Sequence, residues 1–345
     1  MNFLYKQITR RLLFQFDPEF VHDSMIRVAV FFQRFDFICS IIDFVCKTKA
    51  EPIEIKGIKF PNRLGLAAGF DKDCSAAKII SKVGFGFLEL GTVTLRPQTG
   101  NLKPRLFRLP KEKAIINRMG FNNIGARAAA KNLEKMGKLN IPIGINIGKN
   151  ADCSLEDAAS NYLQSLEILY PYGDYFTLNI SSPNTKDLRT LHESEKFKKL
   201  IEPILNFVNS KSEKKPIFIK ISPDIEISDL ANISKAAIEM DFGLIVSNTT
   251  IRRDVLKNEH KDMEGGLSGR PLKELSNDVL KKTVMFTASK VPIIASGGIT
   301  DCSTAEEKLK FGADLIQVYT GLIYEGPFFV KDILKYIYKK AENRN

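Results

Sequence analysis

Eight short β-rich runs recur along the chain from residue 64 onward, and this repetition constrains the fold more than any other feature. Each run is apolar and ends in glycine or polar residues, as strands of a parallel sheet do. Helix-like segments separate most of them, which indicates strands joined by helical crossovers. The runs occupy residues 64–70, 87–93, 142–148, 175–181, 216–222, 243–249, 292–298 and 315–321, and the helix-like segments include 151–170, 193–209, 228–240 and 302–311.

Eight is also the number of strands that closes a (β/α)8 barrel. A doubly wound open sheet can hold as many, but its first strand leads into a GxGxxG turn. The first run here leads into "AAGFDKD" (67–73), which lacks that fingerprint. We therefore predict an α/β protein with a (β/α)8 TIM barrel over residues 49–345 and a small N-terminal helical extension over residues 1–48.

The extension reads as two or three short helices rich in large apolar residues. Asp17 is a predicted N-cap, with Pro18 at the first helical position. Two interpretations stay open: a helical cap packed on the barrel, or an apolar hairpin that contacts a membrane or admits an apolar ligand. The predicted apolar face of the second helix consists of Phe20, Val21, Ser24, Met25, Val28, Ala29 and Phe32, and the polar face contains Asp23, Arg27 and Arg34.

Composition excludes several classes of function. The net charge of +11 favours anionic partners, or else reflects a generally basic proteome. The lysines are scattered rather than clustered, so we expect no nucleic-acid binding. Five cysteines without a CxxC pair indicate reduced thiols, and three dispersed histidines form no metal constellation. The N-terminal residues contain neither a clean secretory signal nor an apolar run long enough to span a bilayer.

Polar residues collect at the ends of the predicted strands. In a (β/α)8 barrel these ends meet at one mouth, where active sites lie. Lys220 stands inside an apolar strand, so its charge needs an anionic partner, such as a reduced flavin, or an outlet to solvent. The strand-end residues are Ala68, Gly69, Asp71, Lys72, Gly91, Thr92, Asn146, Asn179, Ser181, Ser182, Lys220, Ser247, Asn248, Thr249, Ser296, Gly297, Gly298, Tyr319, Thr320 and Gly321.

Glycine-rich turns follow the last predicted strands. "SGGI" (296–299) and "TGLI" (320–323) come after strands 7 and 8, where barrels of this type commonly bind phosphate through backbone N–H groups. A third turn, "GGLSGRPL" (265–272), is expected in the loop after strand 6. Together they favour a ligand that carries phosphate.

In order along nearly the whole chain, the motifs "AAGFDKD", "INRMGFNN", "GINIGKN", "LNISSPNT", "IKISPD", "SNTT", "GGLSGRPL" and "ASGGI" resemble those of the dihydroorotate dehydrogenase family. The N-terminal helices and "FDPEFVH" (16–22) are similar to its membrane-associated, quinone-using class 2. Class 1 enzymes use a cysteine base, whereas the corresponding loop here holds Ser182. Two departures are Ser247, where the family usually has threonine, and "ASGGI" in place of "GVGGI".

The resemblance implies FMN as cofactor, (S)-dihydroorotate as substrate and a membrane quinone as electron acceptor. Ser182 would be the base, and the loop at residues 183–192 that follows it is the candidate lid. The residues implied for FMN are Ala68, Gly69, Lys72, Thr92, Asn146, Asn179, Lys220, Ser247, Ser268, Gly269, Gly297, Gly298, Tyr319 and Thr320. Those implied for the substrate are Lys72, Asn117, Arg118, Met119, Gly120, Phe121, Asn179, Asn184, Asn248 and Thr249, and those for the quinone are His22, Arg108 and Tyr319.

Physical chemistry agrees with this assignment. Carboxamides match the amide edges of orotate, and a lysine matches its carboxylate. A serine is a weak base, so it needs a closed, dry site and a proton relay through water or threonine. We expect a monomer bound peripherally at the cytoplasmic face of a bacterial inner membrane. Two other functions stay open: a related FMN barrel with a soluble acceptor, and a non-enzymatic flavin-storage or membrane scaffold.

Overall fold

A computed structural model describes residues 2–185, 188–256 and 260–342. Its strands are β1 Ile53–Ile55, β2 Ile58–Phe60, β3 Leu64–Leu66, β4 Phe87–Val93, β5 Leu106–Leu109, β6 Ala114–Asn117, β7 Ile143–Ile147, β8 Tyr175–Asn179, β9 Ile217–Ile221, β10 Gly243–Val246, β11 Gly266–Gly269, β12 Ile293–Ser296 and β13 Leu315–Val318.

Its helices are α1 Asn2–Leu4, α2 Arg10–Leu13, α3 Pro18–Phe32, α4 Asp36–Cys46, α5 Ala77–Ile80, α6 Ala126–Met136, α7 Ala158–Leu169, α8 Ser194–Asn209, α9 Ile227–Glu239, α10 Lys273–Thr287, α11 Cys302–Lys310, α12 Thr320–Glu325 and α13 Phe329–Glu342. A π-helical segment, Tyr5–Thr9, joins α1 to α2, and a short 3-10 helix spans Leu188–His192.

The barrel is closed and parallel. Its strands are hydrogen-bonded in the order β3, β4, β7, β8, β9, β10, β12, β13 and back to β3. Every predicted strand is present at its predicted place, so the (β/α)8 TIM barrel is confirmed. The predicted helix at 151–170 begins only at Ala158, because Ser154 and Asp157 bond each other in a preceding turn, with the Asp157 N–H donating to Ser154 Oγ at 3.0 Å.

Two small sheets were not predicted. The β1–β2 hairpin packs Ile53, Ile55 and Ile58 against apolar residues at the N-terminal end of the barrel. At the other end, β5, β6 and β11 form an antiparallel sheet. Residues Gly266–Gly269 of "GGLSGRPL" are therefore a strand rather than the predicted turn, because their backbone pairs with Ala114–Asn117.

The N-terminal helices lie against the barrel through polar contacts. Asp17 caps α3 by accepting the Phe20 N–H at 2.8 Å, as predicted. Glu19 is buried and pairs with buried Arg105, which donates from Nη2 at 2.7 Å. The Arg10 guanidinium donates to the Tyr324 carbonyl at 2.8 Å.

The apolar residues of this region fall into two groups, one packed on the barrel and one exposed, and the sequence pattern did not predict which residue belongs to which group. Ile26, Ala29 and Val30 pack on the barrel core. Many larger side chains, including several on the predicted apolar face of α3, stay exposed: Phe3, Leu4, Ile8, Leu12, Phe16, Phe20, Met25, Val28, Phe31, Phe32, Phe35, Phe37, Ile41 and Phe44. Among the described residues, no helix combines the length and the apolar character that crossing a bilayer requires.

Candidate active site

A cavity lies at the C-terminal ends of the barrel strands, where enzymes with this fold bind their ligands. Every residue assigned to the cofactor lines it except Asn146, and every residue assigned to the substrate lines it except Arg118. Arg118 instead donates to the Pro104 carbonyl at 3.0 Å and approaches Glu264 at 3.9 Å.

The floor of the cavity is built around Glu89, a buried carboxylate on β4 that sequence reasoning missed. Its Oε1 accepts from Asn146 Nδ2 at 2.5 Å and lies 3.4 Å from Lys220 Nζ. Its other oxygen accepts from Gln317. Lys220 is 5% exposed, so its predicted anionic partner is an internal carboxylate, and it has no outlet to solvent. The sequence feature that could have revealed Glu89 is an acidic residue inside the apolar run "FLELG" (87–91).

Asn146 lies beneath this floor and orients the residues above it. Its Oδ1 accepts from Thr92 Oγ1 at 2.6 Å and from Asn179 Nδ2 at 3.2 Å. Asn179 therefore turns its oxygen away from Asn146. That oxygen accepts from Ser181 Oγ at 3.1 Å and from Asn248 Nδ2 at 3.3 Å. Ser181, which had no predicted role, thus ties the end of β8 to the end of β10.

Ser182 follows directly and lines the cavity with 5% of its surface exposed. Its Oγ accepts the Asn184 N–H at 3.3 Å, and among described residues no carboxylate or imidazole bonds to it. Asn184 Nδ2 donates to Asn117 Oδ1 at 3.2 Å, which aligns two amides on one wall. The Thr185 hydroxyl is buried and has no partner within the described part of the chain. Lys186 and Asp187 of the predicted 183–192 lid lie outside the described residues.

Arg189 holds three loops of the barrel mouth together. Its Nε donates to the Ser181 carbonyl at 3.1 Å, its Nη1 to Asp224 Oδ2 at 2.8 Å and its Nη2 to the Thr249 carbonyl at 3.0 Å. The loops after β8, β9 and β10 are thereby linked through one side chain. Burial lowers the pKa of Arg189, against the opposing effect of Asp224, but a guanidinium stays charged. Sequence reasoning missed this clamp, because its partners are distant in sequence.

Lys72 lies on the wall between this cavity and a second cleft beneath α3. Burial lowers its pKa to about 8, against the raising effect of Asp23 and Glu19. The neighbouring Asp71 carboxylate points the other way and accepts the N–H groups of Ser75 and Ala76. The loop "AAGFDKD" therefore offers one cation to the cavity.

An aromatic series runs from α3 to the cavity. The His22 and Phe70 rings lie 5.5 Å apart, and the Phe70 and Tyr319 rings 5.9 Å apart, both edge to face. Burial, and then the Lys72 ammonium, lowers the pKa of His22 to about 4, so its imidazole is neutral at pH 7. Arg108, grouped with these residues in the quinone prediction, donates to the Leu13 carbonyl at 3.1 Å and lies 4.4 Å from the centroid of the Phe14 ring, in the segment between α2 and α3.

The glycine turn after β12, Gly297–Gly298, also lines the cavity. Gly297 and Gly298 have φ of +94° and +74°, and a Cβ on Gly298 would lie 2.3 Å from Lys273 Cα. Only glycine therefore lets this turn adopt its shape and its close packing on α10. Opposite, Thr320 Oγ1 donates to Ser268 Oγ at 2.8 Å.

Fold and site together define a (β/α)8-barrel enzyme that binds its ligands at the C-terminal mouth of the barrel. A family model described as dihydroorotate dehydrogenase matches residues 52–340. The chain belongs to the dihydroorotate dehydrogenase family.

The chain is similar to curated and structurally characterised proteins over nearly its whole length. A protein of Christiangramia forsetii named dihydroorotate dehydrogenase (quinone) is 44% identical over 98% of this chain and 100% of its own length. One of the same name from Nostoc punctiforme is 44% identical over 98% and 94%. The resemblance to class 2 is thereby confirmed.

Solved structures are similar to this chain as well. The crystal structure of DHODH from Eimeria tenella in complex with ferulenol superimposes on this chain with a TM-score of 0.84 and 34% sequence identity, over 95% of this chain and 92% of its own length. The ligand-free type from the same organism has a TM-score of 0.85 at 34% identity, covering 95% and 96%.

Proposed function

We propose that the chain oxidises (S)-dihydroorotate to orotate, a step of pyrimidine synthesis, and passes the electrons through FMN to a membrane quinone. The observation that carries this proposal is that one cavity is lined by three kinds of group: the amides of Asn117, Asn184 and Asn248, which form the amide wall, the buried lysine Lys220, and the Gly297–Gly298 turn. Relatives named as quinone-dependent dihydroorotate dehydrogenases support the same activity.

The residues of the cavity fit FMN. The Gly297–Gly298 turn and the Ser268–Thr320 pair would receive the phosphate, which backbone N–H groups and hydroxyls bind well. At the other end, Lys220 and Thr92 would hold the flavin ring. The Gln317 Oε1 atom is buried and has no partner among the described residues, as expected beside a ligand donor. When bound, FMN supplies the acceptor for the hydride from C6 of the substrate and relays the electrons.

Substrate recognition falls to the amide wall. Asn117, Asn184 and Asn248 present carboxamides that can donate to and accept from the ring amides of dihydroorotate. Lys72 would bind the carboxylate, and an anion there would stabilise the charged form of its amine. Met119, Gly120 and Phe121 would complete the wall, whereas the position of Arg118 supports a structural role for that side chain.

Ser182 is the proposed base for the C5 proton. Its Oγ is oriented by the Asn184 N–H and lies at the cavity wall, where little water reaches it. Removal of a proton by a neutral hydroxyl requires an acceptor for the serine proton. The unpartnered Thr185 hydroxyl, in the same loop, is suited to pass that proton on. The Arg189 clamp keeps this loop over the site.

The proposed quinone path begins at the N-terminal helices. The neutral His22 imidazole and Phe70 lead from α3 to Tyr319 at the cavity. The exposed apolar side chains of α3 and α4 would rest in a membrane interface, and exposed Arg11, Arg27 and Arg34 would face anionic headgroups. We propose peripheral association, at the cytoplasmic face of an inner membrane.

Stopped-flow mixing tests the chemistry. Anaerobic dihydroorotate should bleach the flavin of the purified protein without NAD, and a water-soluble quinone should restore the colour. Ser182→Ala should bind FMN normally and slow the bleaching by about 10²-fold or more. Ser160→Ala, an exposed serine on α7, is the matched control and should behave as wild type. Wild-type bleaching rates in Ser182→Ala would refute the assignment of the base.

Membrane association has a separate test. The double variant Phe37→Ser, Phe44→Ser removes two exposed rings from α4 without touching the cavity. It should bind anionic vesicles more weakly than wild type and keep full flavin reduction by dihydroorotate. Unchanged vesicle binding would refute this docking face.

A further inference from the structure

Lys308, on α11, is a buried lysine that the proposed reaction does not use. Its side chain is 0% exposed, and its Nζ donates to Ser276 Oγ at 2.7 Å. An ammonium has three donors, so one partner leaves most of its hydrogen-bonding capacity unmet. Such a group is costly to bury without an anion.

No carboxylate among the described residues lies within ion-pair distance of this ammonium. The carboxylates of Glu307 and Glu274 act on this ammonium electrostatically, and both of them pair with Lys273 at 3.2 Å. Burial lowers the pKa of Lys308 to about 7, and the two carboxylates only partly oppose this effect. Within the described part of the chain this amine therefore has no direct counter-charge, and only part of it is protonated at pH 7 until an anion stabilises its charged form.

Ser276 connects this cation to the glycine turn of the cavity. The Ser276 hydroxyl accepts from Lys308, so its own proton points to a backbone carbonyl: that of Gly297 at 3.1 Å or that of Lys273 at 2.9 Å. The turn is seated directly on these residues, because a Cβ on Gly297 would lie 3.3 Å from Ser276 Cβ. Lys308 thus stands immediately behind the surface that Gly297 and Gly298 present to the cavity.

We propose that Lys308 is a positioning residue for a doubly charged phosphate at the Gly297–Gly298 turn. It would act from behind the turn, by placing one positive charge in a region of low dielectric and by fixing the turn's carbonyl through Ser276. This inference rests on the proposed binding of FMN, and it goes further by assigning affinity for the phosphate to a residue outside the cavity lining.

Replacing Lys308 should change protein stability and FMN affinity in opposite directions. Lys308→Met keeps the volume of the side chain and removes a poorly compensated buried charge. The ligand-free protein should therefore be as stable as wild type or more stable. Binding of FMN should weaken, since the dianion loses its counter-charge. A lysine with a merely structural role would show the reverse pattern: lower stability and unchanged affinity per folded molecule.

The experiment compares FMN with riboflavin, which lacks the phosphate. Full-length chains stripped of flavin are titrated with each compound by fluorescence quenching, and their urea unfolding is followed without ligand. Lys308→Met should bind FMN about ten-fold more weakly or worse and riboflavin within about two-fold of wild type. Lys310→Met is the matched control, because Lys310 is exposed on the same helix and pairs with Glu306 at 2.9 Å.

Each outcome has a distinct meaning. Failure of the wild-type chain to bind FMN would overturn the proposed function itself. Wild-type binding with equal FMN affinity in Lys308→Met and Lys310→Met would overturn only the role of Lys308. Equal losses for FMN and riboflavin, or a Lys308→Met chain that is less stable than Lys310→Met or fails to fold, would also overturn it.

Discussion

Arg189→Gln should open the barrel mouth without unfolding the barrel. The guanidinium makes one charge-assisted bond to Asp224 and two bonds to the carbonyls of Ser181 and Thr249. Its side chain is 21% exposed and that of Asp224 11%, so solvent screens the pair only in part. Breaking mostly buried charged contacts of this kind destabilises the local arrangement by about 3 kcal/mol.

Because the clamp joins loops rather than core elements, most of this loss should appear in local opening. The loop that carries Ser182 and the one that carries Thr249 would no longer be held in register. We therefore expect the Kd of orotate to rise by about 100-fold, which is the equivalent of roughly 3 kcal/mol. Hydrogen exchange at the amides of residues 181, 182, 184, 185 and 249–251 should accelerate, while the midpoint of global urea unfolding changes little.

The matched control is Arg252→Gln, whose guanidinium pairs with exposed Asp254 at the surface of the loop after β10. It should leave orotate binding and hydrogen exchange at the wild-type level. A double-mutant cycle with Asp224→Asn separates the ion pair from the two carbonyl contacts. Equal orotate affinity in Arg189→Gln and Arg252→Gln would refute the clamp.

Two further predictions concern the N-terminal region. Glu19→Gln should lower the free energy of unfolding at pH 7 by about 3 kcal/mol, since it leaves Arg105 buried and without its anion. Burial alone would raise the pKa of Glu19, but the hydrogen bonds from Arg105 and Lys103 outweigh it and lower the pKa. The stabilisation is thus present above the unfolded-state pKa of 4.5 and is lost as the pH falls through the folded-state value. In urea unfolding, a gap between wild type and variant that persists unchanged at pH 3 would contradict this sign. His22→Ala should slow flavin reoxidation by a soluble quinone in stopped flow and leave reduction by dihydroorotate unchanged; equal slowing of both half-reactions would show that His22 does not lie on a separate quinone path.

Much of the barrel and of its mouth was predictable from the sequence. Buried parallel strands are continuous apolar runs, and their period and spacing can be read without knowing their partners. Residues that end such runs, such as Asn179, Lys220 and Gly297, must meet at one rim once the barrel closes. The order of the motifs also predicted the family.

The partnerships that depend on packing were not predictable. Glu89 was overlooked because a lone acid in an apolar strand becomes meaningful only when β7, β9 and β13 bring Asn146, Lys220 and Gln317 to it. The face of α3 that contacts the barrel was also not predictable, because helical periodicity alone does not say whether the neighbour of an apolar face is protein or membrane.

The sequence by itself therefore determined the fold class, the strand ends and the residue types at the mouth, because those follow from local pattern and chain order. Only the tertiary structure decided which charges neutralise each other and which do not. Lys220 has a carboxylate beside it, whereas Lys308 has a single hydroxyl. The difference arises because the electrostatic free energy of a buried charge depends on distances of a few ångströms between residues far apart in the chain.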